Sequence, residues 1–242
     1  MHTVQLITEF SSSSFQVGLL KKSLFKLGLN QIIDITHQIR LGNITEAAFV
    51  CKQVLIESDN HFITLVLVGN STKKIVYNFY NNWLILPDNG LLNLIFPEID
   101  LHHLWSANQF TLEETLEIVK NNKLELLTPN PHYVIKYPKK SNNTGECLIG
   151  ERIFSDELGN VYFNIQKNEV FDFLNGSSFK LKIQHVPNVF FYEIKDSVHQ
   201  VDEGVAVFTF NKTSYLKLSI NQGNAMKLFR LKDDTKLMIE KI

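Results

Sequence analysis

Groups capable of chemistry are spread along this chain in short strings. Glu9 follows the apolar run Thr3–Thr8. An acid at the C-terminal end of a first strand stands where open α/β sheets bind ligands. Asp34 and His37 lie three apart in Ile33-Asp34-Ile35-Thr36-His37. That spacing serves either a polar site or a satisfied structural pair. Asp156 and Asn160 lie four apart, and Gly159 between them lets the backbone bend. The result is an anion close to an amide, or simply a solvated turn. His102-His103 offers two metal-ligating rings, but adjacent side chains on a strand point in opposite directions, which favours an exposed pair. Pro87-Asp88-Asn89-Gly90 has the composition of an ordinary turn. Glycine-rich phosphate loops, a nucleophile elbow and the H-E-x-x-H zinc signature are all absent from the sequence. Cys51 and Cys147 form no C-x-x-C pair, so neither a disulfide framework nor an all-cysteine zinc site can be built.

The elements that must carry these groups change character near residue 138. Before it, strand-like runs (Thr3–Thr8, Gln31–Ile35, His61–Val68, Lys74–Phe79, Trp83–Leu86) are interleaved with helical segments. The helices start after Ser11–Ser14, over Ile44–Leu55 and over Thr111–Lys120, the last with Thr111 and Glu114 as a capping box. Strands alternating with helices imply parallel pairing. Residues 139–147 are polar, with Pro138 and Gly145 near the ends, and are expected to be a linker. Beyond them come short β-rich runs: Cys147–Phe154, Asn160–Ile165, Phe179–Ile183, Val205–Phe210 and Tyr215–Ile220. The expected architecture is an α/β domain over 1–138, with a mostly parallel sheet, and a β-rich, barrel-like domain over 148–242.

With 242 residues, 44% of them hydrophobic, the chain can bury substantial cores. The net charge of -1 argues against a nucleic-acid partner, which needs a basic face. No polybasic cluster suits an anionic membrane surface, and no apolar run reaches the roughly 20 residues of a transmembrane helix. The start lacks the pattern of a secretion signal, so a cytoplasmic location is expected.

Taken in order, four strings resemble the S-adenosylmethionine hydroxide adenosyltransferase family, which also contains the chlorinase and fluorinase. They are Leu6-Ile7-Thr8-Glu9-Phe10 with Val17-Gly18 and Lys21; Ile33 to His37; Pro87-Asp88-Asn89-Gly90-Leu91-Leu92; and Asp156 to Ile165, supported by Gly223-Asn224-Ala225. The resemblance runs from about Val4 to Leu228 and is weakest over residues 99–145. It implies an N-terminal α/β domain and a C-terminal β-barrel-like domain. It also implies a homotrimer that binds S-adenosylmethionine or adenosine between one subunit's N-terminal domain and its neighbour's C-terminal domain.

The resemblance assigns roles residue by residue. Glu9 stands where the family has an Asp that holds the ribose hydroxyls, one methylene longer here. Ser14 replaces a second family Asp. Asp156 matches the acid that meets the methionine ammonium, and Asn160 the residue that hydrogen-bonds adenine. Asn224 and Ala225 match the segment along the adenine edge. Asn211-Lys212 aligns with a pair near the methionine carboxylate, where Lys212 would supply a charged contact or stay solvated. In hydrolytic members an Asp, an Arg and a His set up a water for attack on the ribose carbon attached to sulfur. Here Val66 falls on the Asp and Lys73 on the Arg, and no acid occurs between His61 and Lys74. Lysine keeps the charge but loses the planar fork. The His is expected near residues 102–106, with His103 the leading candidate beside His102 and Ser106. The implied function is S-adenosylmethionine binding with hydrolysis to adenosine and methionine. The alternative is a catalytically silent sensor or scaffold for the same ligands. No cofactor is implied beyond S-adenosylmethionine itself, as substrate or ligand.

Overall fold

A computed structural model describes residues 2–56, 61–96, 98–130 and 140–242. The chain folds as two compact units, Met1–Pro138 and Lys139–Ile242.

In the first unit the chain order is β1 (Thr3–Thr8), α1 (Phe15–Lys26), β2 (Gln31–Thr36), α2 (Ile44–Ile56), β3 (Phe62–Leu67), β4 (Lys74–Phe79), β5 (Asn82–Pro87), α3 (Leu91–Ile95), β6 (Leu104–Ser106), α4 (Leu112–Lys120) and β7 (Thr128–Pro129). The strands form one sheet in the order β2-β1-β3-β5-β4-β6-β7. β2, β1, β3 and β5 run parallel, whereas β4 is antiparallel to β5 and to β6. β1 and β3 lie inside the parallel part of the sheet and read as near-continuous apolar runs because both faces are covered. Val4, Leu6, Ile63 and Leu65 share a core with Leu20 and Leu24 of α1 and Leu116 and Val119 of α4.

Two expectations change here. Gln31–Ile35 reads as a buried strand, yet β2 is the edge of the sheet and Gln31, Ile33 and Asp34 are exposed. In α1 the apolar spacing includes Phe15 and Leu19, which point to solvent, while Val17, Leu20 and Leu24 face the core. The capping box of α4 forms as expected: the Thr111 side chain accepts from Glu114 N and the Glu114 carboxylate accepts from Thr111 N.

The second unit contains β8 (Asn142–Asn143), β9 (Cys147–Ser155), β10 (Val161–Gln166), α5 (Lys167–Leu174), β11 (Phe179–Ile183), β12 (Phe190–Phe191), β13 (Ile194–Lys195), β14 (Ala206–Phe210), β15 (Tyr215–Ile220), α6 (Ala225–Leu228) and β16 (Lys236–Lys241). Its nine strands form one almost wholly antiparallel, barrel-like sheet around Phe163, Ile165, Leu181, Phe208, Leu218 and Ile239. Part of the expected linker is structured: Asn142 and Asn143 pair with Ile149 and Leu148, and Gly145 makes the tight return at φ +84°. Residue 139 lies outside the described residues. α5 has only eight residues, too few to impose a visible helical period among β-rich runs. It is started by a Gln166–Glu169 capping box.

Candidate functional site

Four loops converge at the C-terminal ends of the parallel strands, and Glu9 ties them together. Its backbone N–H donates to Leu67 O at 3.3 Å, continuing the β1–β3 ladder one step. Its Oε2 accepts from Gly42 N at 2.6 Å and Gly69 N at 3.1 Å. One carboxylate oxygen thus bridges the loops that follow β2 and β3. Oε1 takes no hydrogen bond from the described residues. β1 lies between β2 and β3, so the acid marks the point where the chain's connections diverge to opposite sides, the usual ligand crevice of an open α/β sheet. Gly69 has φ +85°, and a Cβ there would meet Asn89 Nδ2 at 2.8 Å. Asn89 in turn donates to Val68 O at 3.0 Å and accepts from Leu91 N, which brings in the loop after β5.

Asp34 and His37 form a polar chain on the same edge. Thr8 Oγ1 and His37 Nδ1 are 2.9 Å apart, His37 Nε2 approaches Asp34 Oδ1 at 3.1 Å, and Lys21 Nζ meets Asp34 Oδ2 at 2.5 Å. Partial burial raises the Asp34 carboxyl, but Lys21 and His37 outweigh it and hold the group below its ordinary value. Thr8 is fully buried and His37 nearly so. The chain therefore fixes α1 and the loop after β2 to the sheet rather than presenting a nucleophile. Beyond it, Arg40 Nε pairs with the buried Glu46 at 2.9 Å.

The expected catalytic groups do not assemble. Val66 is fully buried one residue from the C-terminal end of β3, an apolar side chain where the resemblance puts the family's Asp. Lys73 lies at this edge, exposed, with its carbonyl accepting from Asp88 N at 2.9 Å. His103 does not join it. It immediately precedes β6, which enters the sheet at the end opposite Glu9. The residue of the 102–106 window that does reach the Lys73 edge is Ser106, paired with Ile75 at the far end of β6. Ala107 N then donates to Lys74 O at 2.9 Å. Ser14 is also committed: it is the N-cap of α1, accepting from Gln16 N at 3.2 Å. Cys51 is no reserve nucleophile, because complete burial pushes its thiol up to about 12.

In the second unit Asp156 and Asn160 are brought together as one clamp. Asp156 Oδ1 accepts from Asn160 N at 2.9 Å, and Oδ2 accepts from Asn160 Nδ2 at 2.8 Å and Tyr162 OH at 3.2 Å. Burial, together with the charge and hydrogen bond of Asp156, pushes the Tyr162 phenol well above its ordinary range. Gly159 has φ +84°, and a Cβ there would sit 2.1 Å from Asn224 Cγ. Asn224 lies on that bare backbone and caps α6 by accepting from Lys227 N at 2.8 Å. Met226 N donates to Gly159 O, and Ala225 is fully buried beneath. Asp156, Asn160, Asn224 and Ala225 are thus one contiguous turn-and-cap structure. Asn211 and Lys212 do not join it: their turn lies at the Gln166 end of β10, opposite the Asp156–Asn160 turn, with Asn211 accepting from Tyr215 N at 2.8 Å and Lys212 exposed. Two further polar anchors near these sites, Gly42 and Tyr162, have no motif that singles them out in sequence. Among the described residues no group of three or more His, Cys, Asp or Glu side chains could hold a metal ion.

An α/β sheet with an acid at its switch point, followed by a β-barrel-like unit with a polar turn, defines a two-domain α/β-plus-β-barrel class of protein. Residues 4–123 match the family model of the SAM hydroxide adenosyltransferase N-terminal domain, and residues 150–238 match that of the C-terminal domain. The chain belongs to the SAM hydroxide adenosyltransferase family. A crystal structure of an uncharacterized conserved protein from Thermotoga maritima superposes with a TM-score of 0.82 at 20% identity, covering 99% of this chain and 100% of that one. A conserved hypothetical protein from Thermus thermophilus gives 0.69 at 16% identity, covering each chain completely. At these identities the two structures speak to the fold alone.

Proposed function

We propose that this protein binds S-adenosylmethionine or adenosine and hydrolyses S-adenosylmethionine slowly or not at all. The observation that carries the reading is the contrast at one sheet edge. Glu9 is held by two backbone N–H groups with its second oxygen available, while Val66 is buried, Ser106 and not a histidine is the residue of the 102–106 window at that edge, and a lysine, Lys73, stands there rather than an arginine. A carboxylate so held suits a ribose diol, whose two hydroxyls are donors. Water attack at a sulfonium-bearing carbon needs a positioned base or a stabilised hydroxide, and nothing comparable is gathered here. The Asp156–Asn160 clamp supports binding of an ammonium and an adenine, because Asn160 Oδ1 and the Asp156 charge are both held in fixed positions. The active hydrolase and the homotrimer belong to the same reading as its alternative and its assembly.

Calorimetric titration with both ligands, beside chromatographic assay for adenosine after long incubation, tests the reading. Saturable binding with adenosine formation no faster than in a protein-free control is expected. Turnover restores the hydrolase, and absence of binding to either ligand removes the reading. Asn160→Ala should weaken adenosine binding by about 1–3 kcal/mol, the cost of an unpaired polar partner in a closed site.

A further inference from the structure

A cavity of the first unit lies at the other end of the sheet from Glu9. Its volume is about 460 Å³, within the range of small-molecule pockets. His2, His61 and His103 immediately precede β1, β3 and β6, and Trp83 is the second residue of β5. These strands share one direction, so their N-terminal ends gather the side chains at a single rim. β1 is six residues long, which puts this rim roughly 20 Å from the Glu9 edge. His102 and Trp105 complete the ring of aromatic walls.

Three features point to a ligand. Trp83 and Trp105 stand with ring centroids 6.0 Å apart and planes inclined by 46°, leaving Trp105 partly exposed as a stacking face. The polar walls are imidazoles and the carboxamides of Asn78, Asn81 and Asn122, groups that both donate and accept. No carboxylate lines the cavity among the described residues, and His2 Nδ1 is buried there without a hydrogen-bond partner among them.

We propose that this cavity is a second binding site and takes a planar nitrogen heterocycle, stacked on Trp105 and hydrogen-bonded around its edge by the histidines and asparagines. Stacking on tryptophan needs a π-face. Mixed donor-acceptor walls match the alternating ring nitrogens and exocyclic groups of a base. This gives the His102-His103 pair a role at an end of the sheet remote from Lys73.

The chain has only two tryptophans, Trp83 and Trp105, and both line this cavity, so intrinsic fluorescence reports on it directly. Titration of the intact protein with adenine, and separately with uracil, should give a saturable change for at least one of them. His102→Ala/His103→Ala, both exposed, should weaken that binding at least tenfold with the circular dichroism spectrum unchanged. Asn160→Ala, at the residue proposed to meet adenine, should leave it unaltered. No saturable change with either base overturns the proposal. So does a response that survives the double histidine variant, or one lost in Asn160→Ala, which would place the base at the Asn160 turn instead.

Discussion

Glu9 does two jobs with one carboxylate. Oε2 closes the Gly42 and Gly69 loops, and Oε1 faces away from both. The glutamate side chain is long enough for one oxygen to reach amides on two separate loops. Glu9→Ala should therefore cost stability as well as affinity, by about 1 kcal/mol because the two amides regain water when unpaired. Urea denaturation checks this, and Glu9→Gln should cost less because it keeps a neutral acceptor. Asp34 provides a pH-dependent counterpart. Its folded value lies below the unfolded value of 3.8, so the contribution of its pairing is present above that value and is lost as pH falls through the folded one. Asp34→Asn should flatten the acid limb of a stability–pH curve below about pH 4. The effect should be no more than ~1 kcal/mol, because the pair with Lys21 is partly solvated.

At the scale of elements, the β9–β10 turn and α6 behave as one piece. Asp156 accepts three hydrogen bonds within its own turn, and Gly159 permits both the left-handed backbone and the close seat of Asn224. Gly159→Ala meets both obstacles at once and should destabilise the second unit by more than about 1 kcal/mol. Asp156→Ala strands Tyr162 OH and the Asn160 groups and should cost about 2–3 kcal/mol. Thermal melts followed by circular dichroism would rank the two variants against wild type. The Tyr162 phenol is raised in the folded state, so its contribution is full below the ordinary value of 10.0 and erodes as pH rises above it. Asp156→Ala should shrink that alkaline loss, since removing the neighbouring charge lets the folded value fall back toward the ordinary one.

For the whole molecule, the unexplained surface is the β2 edge of the first unit. Phe15 is 77% exposed, Leu19 56% and Ile33 42%, and Lys21 pairing with Asp34 places α1 beside β2. Phe15 and Leu19 lie four apart on one exposed face of α1, which suits a subunit contact of the expected homotrimer. Leu19→Glu should shift the molecular mass in light scattering from three copies toward one. The helix itself should stay intact, because Leu19 lies on its solvent side. Wild type running as a monomer would remove the trimer.

Periodicity alone determined the main strands and helices of the first unit and the change to β-rich structure after it, because burial on both faces or one face writes a two- or 3.6-residue period into the chain. Position at the end of the first strand marked Glu9, and the four-residue spacing around Gly159 together with the family resemblance marked Asp156 and Asn160. Tertiary structure decided three things. β2 became an exposed edge because β1 pairs with β3 on its other side, and no local pattern encodes a neighbour so distant in sequence. Asp156 and Asn160 turned to each other, a contact that residue types permit but do not dictate. Lys73 and His103 were sent to opposite ends because β4 reverses the direction of the chain. A residue just before β4 stays at the Glu9 edge, while one just before β6 enters from the far side. Strand direction is a property of pairing, and pairing is settled only when the whole sheet closes.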